Sequence, residues 1–317
     1  MGTSSLVPVI DLQDFPSQSQ KLIDASQEWG CFRIINHQIP TTLMSDMKSV
    51  VRSLLDLPPE IKRRNTDVIA GSGYVAPSKV NPLYEGLGLY DIGSTHAVLD
   101  FCSQLDASPQ QRDTILRYSQ SIHKLAMDIG NKLAQSMGLA SDLFMGWPCQ
   151  LRINKYSFTP ETLGSSGVQI HTDSAFLTIL QDDENVGGLE VMDKKSGEFV
   201  PVDPMPGTLL VNLGDFATSD LIDTFTNVSK VWSNGRFYNV KHRVQCKEAT
   251  IRLSIALFVL GPKEAPLEAP PELVDSENHP RLYVPIHFED YRKLRLSTGL
   301  RAGELLTSYL QAMFHFD

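Results

Sequence analysis

The stretch from Val168 to Leu180 reads VQIHTDSAFLTIL, and the interpretation of the whole chain depends on it. Its β-branched and apolar residues predict strands, and it contains the polar pair His171 and Asp173 two positions apart. Side chains two apart on a strand share a face, so both can point at one ion. A third candidate ligand, His242, lies in the later segment YNVKHRV. Two imidazoles and one carboxylate form the facial triad of non-haem Fe(II) oxygenases, which leaves other positions on the metal open.

The spacing of these residues alone leaves two other interpretations open. Zinc with a bound water can use a similar set of ligands. His171 and Asp173 can also be ordinary polar residues at the edge of a strand. His242 strengthens the metal interpretation, and the residues that follow it decide the question.

A second polar pair, Arg252 and Ser254, lies in the strongly apolar run IRLSIALFVL. A strand would place both side chains on one face. A buried arginine needs an anionic partner, and a guanidinium beside a hydroxyl is suited to bidentate capture of a carboxylate. An internal ion pair with an aspartate or glutamate is an equal alternative. The pair therefore indicates a carboxylate partner without identifying it.

Composition excludes several classes of protein. The chain has 317 residues, of which 42% are hydrophobic and 21% charged, and its net charge is −9. The acidic balance argues against nucleic acid or an anionic membrane surface as a partner. No apolar run approaches the roughly 20 residues of a membrane span, and residues 1–11 do not form a signal peptide. The four cysteines are far apart in the sequence, which predicts free thiols and a cytoplasmic location.

Hydrophobic periodicity predicts helices that flank a region of short strands. Apolar residues at helical spacing predict helices at 16–29, 41–57, 109–137, 287–296 and 302–313. Runs rich in β-branched residues predict strands at 7–11, 31–37, 150–158, 168–172, 175–181, 188–192, 199–202, 208–212, 237–246 and 250–260. The last eight strands indicate an antiparallel sandwich or barrel, and a double-sheet jelly roll is one solution.

Residues 66–100 are rich in glycine and proline and also contain Tyr74, Tyr84 and Tyr90. This composition predicts ordered loops and short strands, not a flexible linker. The embedded tyrosines indicate a packed surface, which we interpret as the mouth of a pocket.

These motifs together resemble the plant 2-oxoglutarate and Fe(II)-dependent dioxygenases of the isopenicillin-N-synthase-like type. The resemblance covers nearly the whole chain, and the combination of motifs is highly specific. The motifs are VIDL (9–12), WGCF (29–32), INH (35–37), NKY (154–156), HTD (171–173), VGGL (186–189), NLGD (212–215), SNGR (233–236), HRV (242–244) and RLS (252–254). Other segments, among them GSGY (71–74), NPLYE (81–85) and WPCQ (147–150), are most similar to the auxin-oxidising members.

The resemblance implies a mainly β fold with flanking helices and a double-stranded β-helix core, the cupin-like jelly roll. It also implies four regions along the chain. Residues 1–110 would form an N-terminal region of helices, short strands and pocket-mouth loops, and 111–145 a long supporting helix. Residues 146–262 would form the jelly-roll dioxygenase core, followed by C-terminal loops and helices at 263–317.

The resemblance assigns roles to both polar clusters. His171, Asp173 and His242 would hold Fe(II), and they would be the catalytic residues. Arg252 and Ser254 would bind the distal carboxylate of 2-oxoglutarate, with Tyr156 as a third donor.

The same resemblance sets the expected reaction. O2 would take the last position on the iron, succinate and CO2 would be coproducts, and ascorbate would support activity. Relatives that need no 2-oxoglutarate keep a similar Arg-x-Ser pair for another carboxylate. The pair therefore does not by itself establish the cosubstrate.

The resemblance also implies a small-molecule substrate: indole-3-acetic acid (auxin) or an amino-acid conjugate of it, oxidised at the indole ring. Aromatic side chains near the pocket mouth would suit an indole. The candidates, each of which could equally be a core residue, are Tyr84, Phe101, Phe176 and Phe258. A terpenoid, phenolic or alkaloid substrate is the alternative with the same chemistry, and a catalytically silent ligand-binding protein is the alternative from another class. We expect a monomer.

Two positions depart from the pattern of the auxin-oxidising members. Ala175 stands where those enzymes have glycine, which predicts a slightly narrower site beside the iron. Residues 219–230 form an insertion of about a dozen residues just before the strand that carries His242. Because surface loops tolerate insertions at small entropic cost, we expect the site to survive it, and a chain without 219–230 should still fold and bind iron. The alternative is that the insertion caps the pocket or offers a surface to a partner.

Overall fold

The β-rich runs of the sequence form two sheets in the computed structural model, which describes residues 7–214 and 228–298. Strands of these sheets are rich in β-branched and aromatic residues, which fit a pleated, half-buried surface. The strands are β1 (Val9–Asp11), β2 (Cys31–Ile35), β3 (Tyr84–Tyr90), β4 (Cys149–Ser157), β5 (Ser166–His171), β6 (Leu177–Gln181), β7 (Leu189–Met192), β8 (Phe199–Pro201), β9 (Leu209–Leu213), β10 (His242–Gln245) and β11 (Ile251–Val259).

The larger sheet has seven strands in the order β1-β2-β9-β6-β11-β4-β3, and the smaller has four in the order β5-β10-β7-β8. Every pairing is antiparallel except that of β1 with β2, which is parallel. Buried side chains of the two sheets meet in one apolar cluster, to which the large sheet contributes Tyr156 and Leu210 and the small sheet Val191 and Val244. The polar clusters predicted from the sequence lie beside this cluster.

The described residues also form seven α-helices, some of which pack against strands of the large sheet. Their bounds are α1 (Ser19–Glu28), α2 (Thr41–Leu55), α3 (Pro59–Lys62), α4 (Thr95–Gln104), α5 (Pro109–Ser136), α6 (Val228–Ser233) and α7 (Phe288–Thr298). The longest helix, α5, packs against α1, α2 and α4. It begins with a capping box, in which Ser108 and Gln111 satisfy each other's backbone N–H groups, and Pro109 occupies its first turn. Among the described helices, none is both long and apolar enough to cross a bilayer.

The predicted architecture, a mainly β core with flanking helices, is confirmed. All eight strands predicted after residue 149 are present, although the one expected at 237–246 is reduced to β10. The region 66–100 contains one long strand, β3, and the start of α4, a helix that the sequence analysis did not predict. The helix predicted at 302–313 lies outside the described residues, as does the predicted insertion, except that α6 begins at Val228.

Candidate metal centre

Two antiparallel strands bring the predicted histidine ligands together. His171 is the last residue of β5, and His242 is the first residue of β10. The two strands pair so that His171 lies directly opposite His242. Cross-strand neighbours on one face have Cβ atoms about 5 Å apart, so both rings reach the same point. Their centroids are 4.1 Å apart.

Asp173 completes the cluster. Its Oδ1 lies 3.7 Å from Nε2 of His171 and 3.5 Å from Nε2 of His242. One ligand atom from each of the three residues lies within 4.8 Å of the other two. Asp173 is not on the strand, because β5 ends at His171. The alternation of a strand therefore does not place its side chain beside His171. The path of the chain after the end of β5 places the Asp173 side chain beside His171.

Backbone carbonyls orient both imidazole rings. Nδ1 of His171 lies 2.9 Å from the Gln169 carbonyl, and Nδ1 of His242 lies 3.1 Å from the Val240 carbonyl. When Nδ1–H donates to such a carbonyl, the lone pair is on Nε2, the atom that faces Asp173. This is the arrangement in which metal-binding histidines are usually held.

Thr178 orients the carboxylate. Its hydroxyl on β6 donates to Oδ2 of Asp173 at 2.7 Å, and both side chains are buried. Oδ1 is thereby the oxygen that faces the two imidazoles. The charged groups also set the protonation states. Burial raises the pKa of Asp173, but the adjacent His242 and His171 and the Thr178 hydroxyl together hold it below its ordinary value.

The two imidazoles differ in their protonation. Burial, followed by the charge of His242, lowers the pKa of His171 to about 3. Burial also disfavours the charged form of His242, but the Asp173 carboxylate outweighs it and raises the pKa of His242. The site therefore offers an ionised carboxylate and a neutral imidazole, and a metal ion that binds at His242 displaces a proton when that ring is charged.

The second predicted cluster lies on the seven-stranded sheet. Arg252 and Ser254 lie on β11, where the register pairs Arg252 with Tyr156 and Ser254 with Asn154 of β4. The predicted shared face of Arg252 and Ser254 is thus present on a regular strand. Arg252 is only 1% exposed, and its guanidinium lies 5.2 Å from the centroid of the Tyr156 ring.

Arg252 is only partly neutralised. One of its nitrogens, Nη2, pairs with Asp182, so the internal ion pair considered for this residue does exist. Its Nε and Nη1 are buried and have no hydrogen-bond partner among the described residues. Buried guanidinium N–H groups are rarely left unpaired, because losing water without a replacement is costly. Arg252 therefore has two buried donors that an anionic ligand entering the cavity could satisfy.

The hydroxyls beside Arg252 remain protonated donors. Burial raises the pKa of Tyr156 well above its ordinary value, although the Arg252 charge and a hydrogen bond with Ser254 partly offset this. Ser254 in turn accepts a hydrogen bond of 3.3 Å from the Asn154 amide.

One cavity of about 380 Å³ contains both polar clusters. It is lined by all six residues predicted for iron and 2-oxoglutarate, and by two of the four aromatic candidates for the substrate, Tyr84 and Phe258. The other two aromatic candidates are not part of this lining. Phe101 lies in α4, beside a separate surface cavity. Phe176 is fully buried against Phe144, with ring centroids 4.6 Å apart, and so belongs to the core.

Ala175 does not narrow this cavity, because it is fully buried and is not among the residues of its lining. The sequence analysis also missed several polar residues of the site, among them Thr178, Asp182, Asn212 and Arg152. Thr178 and Asn212 are cross-strand partners on β6 and β9, and both line the cavity. Asn212 belongs to the NLGD motif, the one signal that could have indicated it.

Comparison with known proteins identifies the family. The profile of the 2OG-Fe(II) oxygenase superfamily matches residues 147–261, and that of an N-terminal domain described as non-haem dioxygenase in morphine synthesis matches residues 7–123. The chain is 50% identical over 305 residues to a rice (Oryza sativa subsp. indica) protein named 2-oxoglutarate-dependent dioxygenase DAO. That match covers 95% of this chain and 97% of the rice protein. The chain belongs to the 2OG-Fe(II) oxygenase superfamily.

Solved structures agree with this assignment. The dioxygenase for auxin oxidation 1 from Arabidopsis thaliana, solved with 2-oxoglutarate, matches with a TM-score of 0.81 and 56% identity, over 87% of this chain and 100% of that one. The rice dioxygenase for auxin oxidation matches with a TM-score of 0.84 and 50% identity, over 94% and 97% of the two chains. The predicted jelly-roll fold, the enzyme class and the two cofactors, Fe(II) and 2-oxoglutarate, are confirmed.

The donor groups of this oxygenase fit both cofactors. Two imidazoles and one carboxylate in a single cluster, His171, His242 and Asp173, suit Fe(II) and leave positions for other ligands. The buried, unpaired donors of Arg252 suit the carboxylate of 2-oxoglutarate.

Proposed function

We propose that this oxygenase oxidises indole-3-acetic acid (auxin), or an amino-acid conjugate of it, and releases succinate and CO2. The observation that carries the proposal is the single cavity that joins the His171–Asp173–His242 cluster to the unpaired donors of Arg252. The solved Arabidopsis and rice structures to which the chain is 56% and 50% identical are named for auxin oxidation. We further expect a cytoplasmic, monomeric enzyme.

Each polar cluster has one role in this proposal. His171, Asp173 and His242 hold Fe(II), with Thr178 fixing the free oxygen of Asp173. Bound together, Fe(II) and 2-oxoglutarate activate O2, so that one oxygen atom enters the substrate and the other enters succinate. The protein holds the reactants in place and excludes water from them.

Arg252 and Ser254 bind the far carboxylate of 2-oxoglutarate, and Tyr156 donates to it from the neighbouring strand β4. This site is deep, because Arg252 is 1% exposed and Ser254 is 3% exposed. A neutral hydroxyl donor at Tyr156 adds a hydrogen bond without adding charge.

The outer part of the cavity has the character that an indole needs. Its walls are largely apolar or aromatic, and they include Val75, Val80, Tyr84 and Phe258. Small-molecule sites are generally of this kind, with a few placed polar groups that fix the orientation of the ligand.

The test is a turnover assay with candidate substrates. Protein loaded with Fe(II) and 2-oxoglutarate without oxygen is mixed with O2, and succinate and oxygenated product are followed by mass spectrometry. The substrates are indole-3-acetic acid, its aspartate conjugate and a plant metabolite extract. We expect one added oxygen atom on an indole compound. Asp173→Ala is the control, because it should form no succinate.

Two other outcomes would change the proposed substrate or the proposed class of protein. Succinate formed with a product only from the extract would keep the reaction and replace auxin by another metabolite. No succinate under any condition would indicate a silent ligand-binding protein.

A further inference from the structure

A second arginine lies on the same strand face as the 2-oxoglutarate residues. Tyr156, Asn154 and Arg152 alternate along β4, and all three line the iron cavity. Side chains two apart on a strand share a face and are separated by roughly 7 Å along it. Arg152 is therefore about 13 Å along the strand from Tyr156, at the outer end of the cavity. Its cross-strand partners there are Gly88 of β3 and Ala256 of β11.

Glycines on the neighbouring strand make room for the Arg152 side chain. A Cβ on Gly88 would lie 2.9 Å from Nη1 of Arg152, and a Cβ on Gly86 would lie 3.2 Å from its Nη2. The guanidinium thus lies in a trough over β3. There Nη1 donates to the Gly73 carbonyl at 2.7 Å and to the Gly71 carbonyl at 3.2 Å, while Nη2 donates to the Tyr84 hydroxyl at 3.3 Å. The group is fixed in place before any ligand arrives.

The charge of Arg152 is not matched by a carboxylate. Every partner that fixes it is a neutral oxygen, and no aspartate or glutamate of the described residues forms an ion pair with it. Arg252, by contrast, has Asp182 as a counter-ion. The half-buried Arg152 guanidinium is held only by neutral oxygens, so it can still form an ion pair with an anion. Guanidinium groups bind carboxylates well because two of their N–H groups are parallel.

The surroundings of Arg152 are also positively charged. Arg152 and Phe258 separate the iron cavity from an adjoining one of about 190 Å³, which Arg292 and Arg295 of α7 also line. Of these two, Arg292 pairs with Glu289, and Arg295 donates to the Thr172 carbonyl. Glu289 neutralises Arg292, so the positive charge beside this end of the iron cavity is that of Arg152 and Arg295, and it favours an anionic ligand over a neutral one.

We propose that Arg152 binds the carboxylate of the organic substrate. The Tyr84 hydroxyl, which accepts from Arg152 and donates to Oδ1 of Asn154 at 2.8 Å, holds the guanidinium in position. This inference rests on the proposed function, because it assigns the acid group of that substrate to a residue. Each of the two arginines then binds a different carboxylate. Arg252 takes the cosubstrate in the deep part of the cavity, and Arg152 takes the substrate at the outer end.

A purely structural role for Arg152 makes a different prediction. Its bonds to Gly71 and Gly73 also hold that loop against β4, so loss of the side chain could loosen the cavity for every ligand. Substrate charge separates the two roles. A carboxylate partner matters only for the acid, whereas a loosened loop weakens binding of the acid and of its neutral ester alike.

The experiment measures binding of indole-3-acetate and of its methyl ester by calorimetry, without oxygen, to protein loaded with Fe(II) and 2-oxoglutarate. The variants are Arg152→Gln and the charge-conserving Arg152→Lys. The control is Lys155→Gln on the same strand, where the removed cation pairs with Asp56 and lies outside the cavity lining. The Kd of 2-oxoglutarate is measured for each protein.

Loss of a charged hydrogen bond should raise the Kd of indole-3-acetate about tenfold to a hundredfold in Arg152→Gln. The Kd of the ester and that of 2-oxoglutarate should change less than about twofold, within the effect of an ordinary surface substitution. Arg152→Lys should recover part of the affinity for the acid, and Lys155→Gln should match the wild type.

Three results would overturn the inference. Equal weakening of acid and ester would assign Arg152 to the loop alone, and a raised Kd for 2-oxoglutarate would assign it to the cosubstrate. Wild-type affinity for the acid in Arg152→Gln would remove the residue from recognition while leaving the proposed function intact. A wild-type protein that binds neither indole-3-acetate nor its aspartate conjugate would instead contradict the proposed function, and the inference with it.

Discussion

Thr178 decides which oxygen of Asp173 is available to a metal. Its hydroxyl holds Oδ2 at 2.7 Å, and Oδ1 faces both imidazoles. Thr178→Val keeps the shape of the side chain and removes this bond. Outer partners of metal ligands are typically worth 10-fold to 100-fold in affinity, so we expect a drop of about that size in Fe(II) affinity. Anaerobic titration with Fe(II) measures it.

Two controls limit the interpretation of that titration. Asp173→Ala should bind Fe(II) far more weakly than Thr178→Val, because it removes a ligand and not its orienting partner. Thr114→Val makes the same replacement at a buried threonine of α5, away from the cavity, and should bind Fe(II) as the wild type does. Unchanged affinity in Thr178→Val would show that the carboxylate needs no orienting bond.

We expect Arg252 to act both in 2-oxoglutarate binding and in the stability of the fold. Arg252→Met should weaken 2-oxoglutarate binding by about thirtyfold or more, since losing one partner of a buried charge pair costs about 2–5 kcal/mol. It should also lower the free energy of unfolding by about 3–5 kcal/mol, because Asp182 is left buried and unpaired. Calorimetry and urea unfolding measure the two effects.

The double variant Arg252→Met/Asp182→Asn separates the two roles. Removing the unpaired carboxylate should restore most of the free energy of unfolding, because no buried charge is left alone. It should not restore 2-oxoglutarate binding. Recovered binding in the double variant would show that Asp182, and not the cosubstrate, is the main partner of Arg252.

At the scale of the element, β3 forms the floor of the trough for Arg152. A Cβ on Gly88 would lie 1.8 Å from the Ser72 carbonyl oxygen. This is a steric clash, and only a shift of the main chain can relieve it. Gly88→Ala should therefore lower the free energy of unfolding by about 1–3 kcal/mol, as overpacking generally does. At Gly187 a Cβ would meet only a Pro204 atom at 3.8 Å, so Gly187→Ala is the matched control. Urea unfolding of both variants tests this, and equal stability of the two would contradict it.

Elements with a strong periodic signal could be predicted from the sequence, and shorter ones could not. The long helix α5 and the strands from β4 to β11 follow from apolar periodicity and turn residues. The helix α4 was missed because its buried face rests on few residues, Val98, Phe101 and Cys102, within a glycine-rich and proline-rich stretch. Its Ser94 cap, which accepts from the Ala97 N–H, was the available signal.

Site residues could be predicted where their spacing in the sequence identifies them. They could not be predicted where their positions depend on how the strands pair. His171 and His242 are 71 positions apart, and only the pairing of β5 with β10 places them opposite each other. No spacing rule indicates that Asp182 reaches Arg252, or that Phe176 packs into the core while Phe258 faces the cavity. These outcomes depend on how the two sheets meet.

At the scale of the whole molecule, the residues proposed to hold the two cofactors lie on different sheets. The histidines lie on the four-stranded sheet, and Arg252 and Tyr156 lie on the seven-stranded one. A 2-oxoglutarate molecule held at both ends would tie the sheets together. At about a hundred times its Kd, it should add about 2.7 kcal/mol to the free energy of unfolding.

The measurement is the Tm with Mn(II), which replaces Fe(II) without reacting with O2, with 2-oxoglutarate, and with both. The joint shift should exceed the sum of the separate shifts, because the keto acid end needs the metal. Asp173→Ala and Arg252→Met should each lose the joint increment. Shifts that simply add would show that the two ligands bind independently.

The carbonyls of Gln169 and Val240 orient the rings of His171 and His242, and they belong to the main chain. Any amino acid at positions 169 and 240 supplies the same carbonyl. Substitutions at positions 169 and 240 should therefore leave the orientation of the His171 and His242 rings unchanged. Descendants of such a chain can exchange the walls of the cavity and acquire new substrates while they inherit the oxidising apparatus unchanged. This is possible because the main chain orients the histidine rings, whereas side chains of the cavity wall determine which substrate binds.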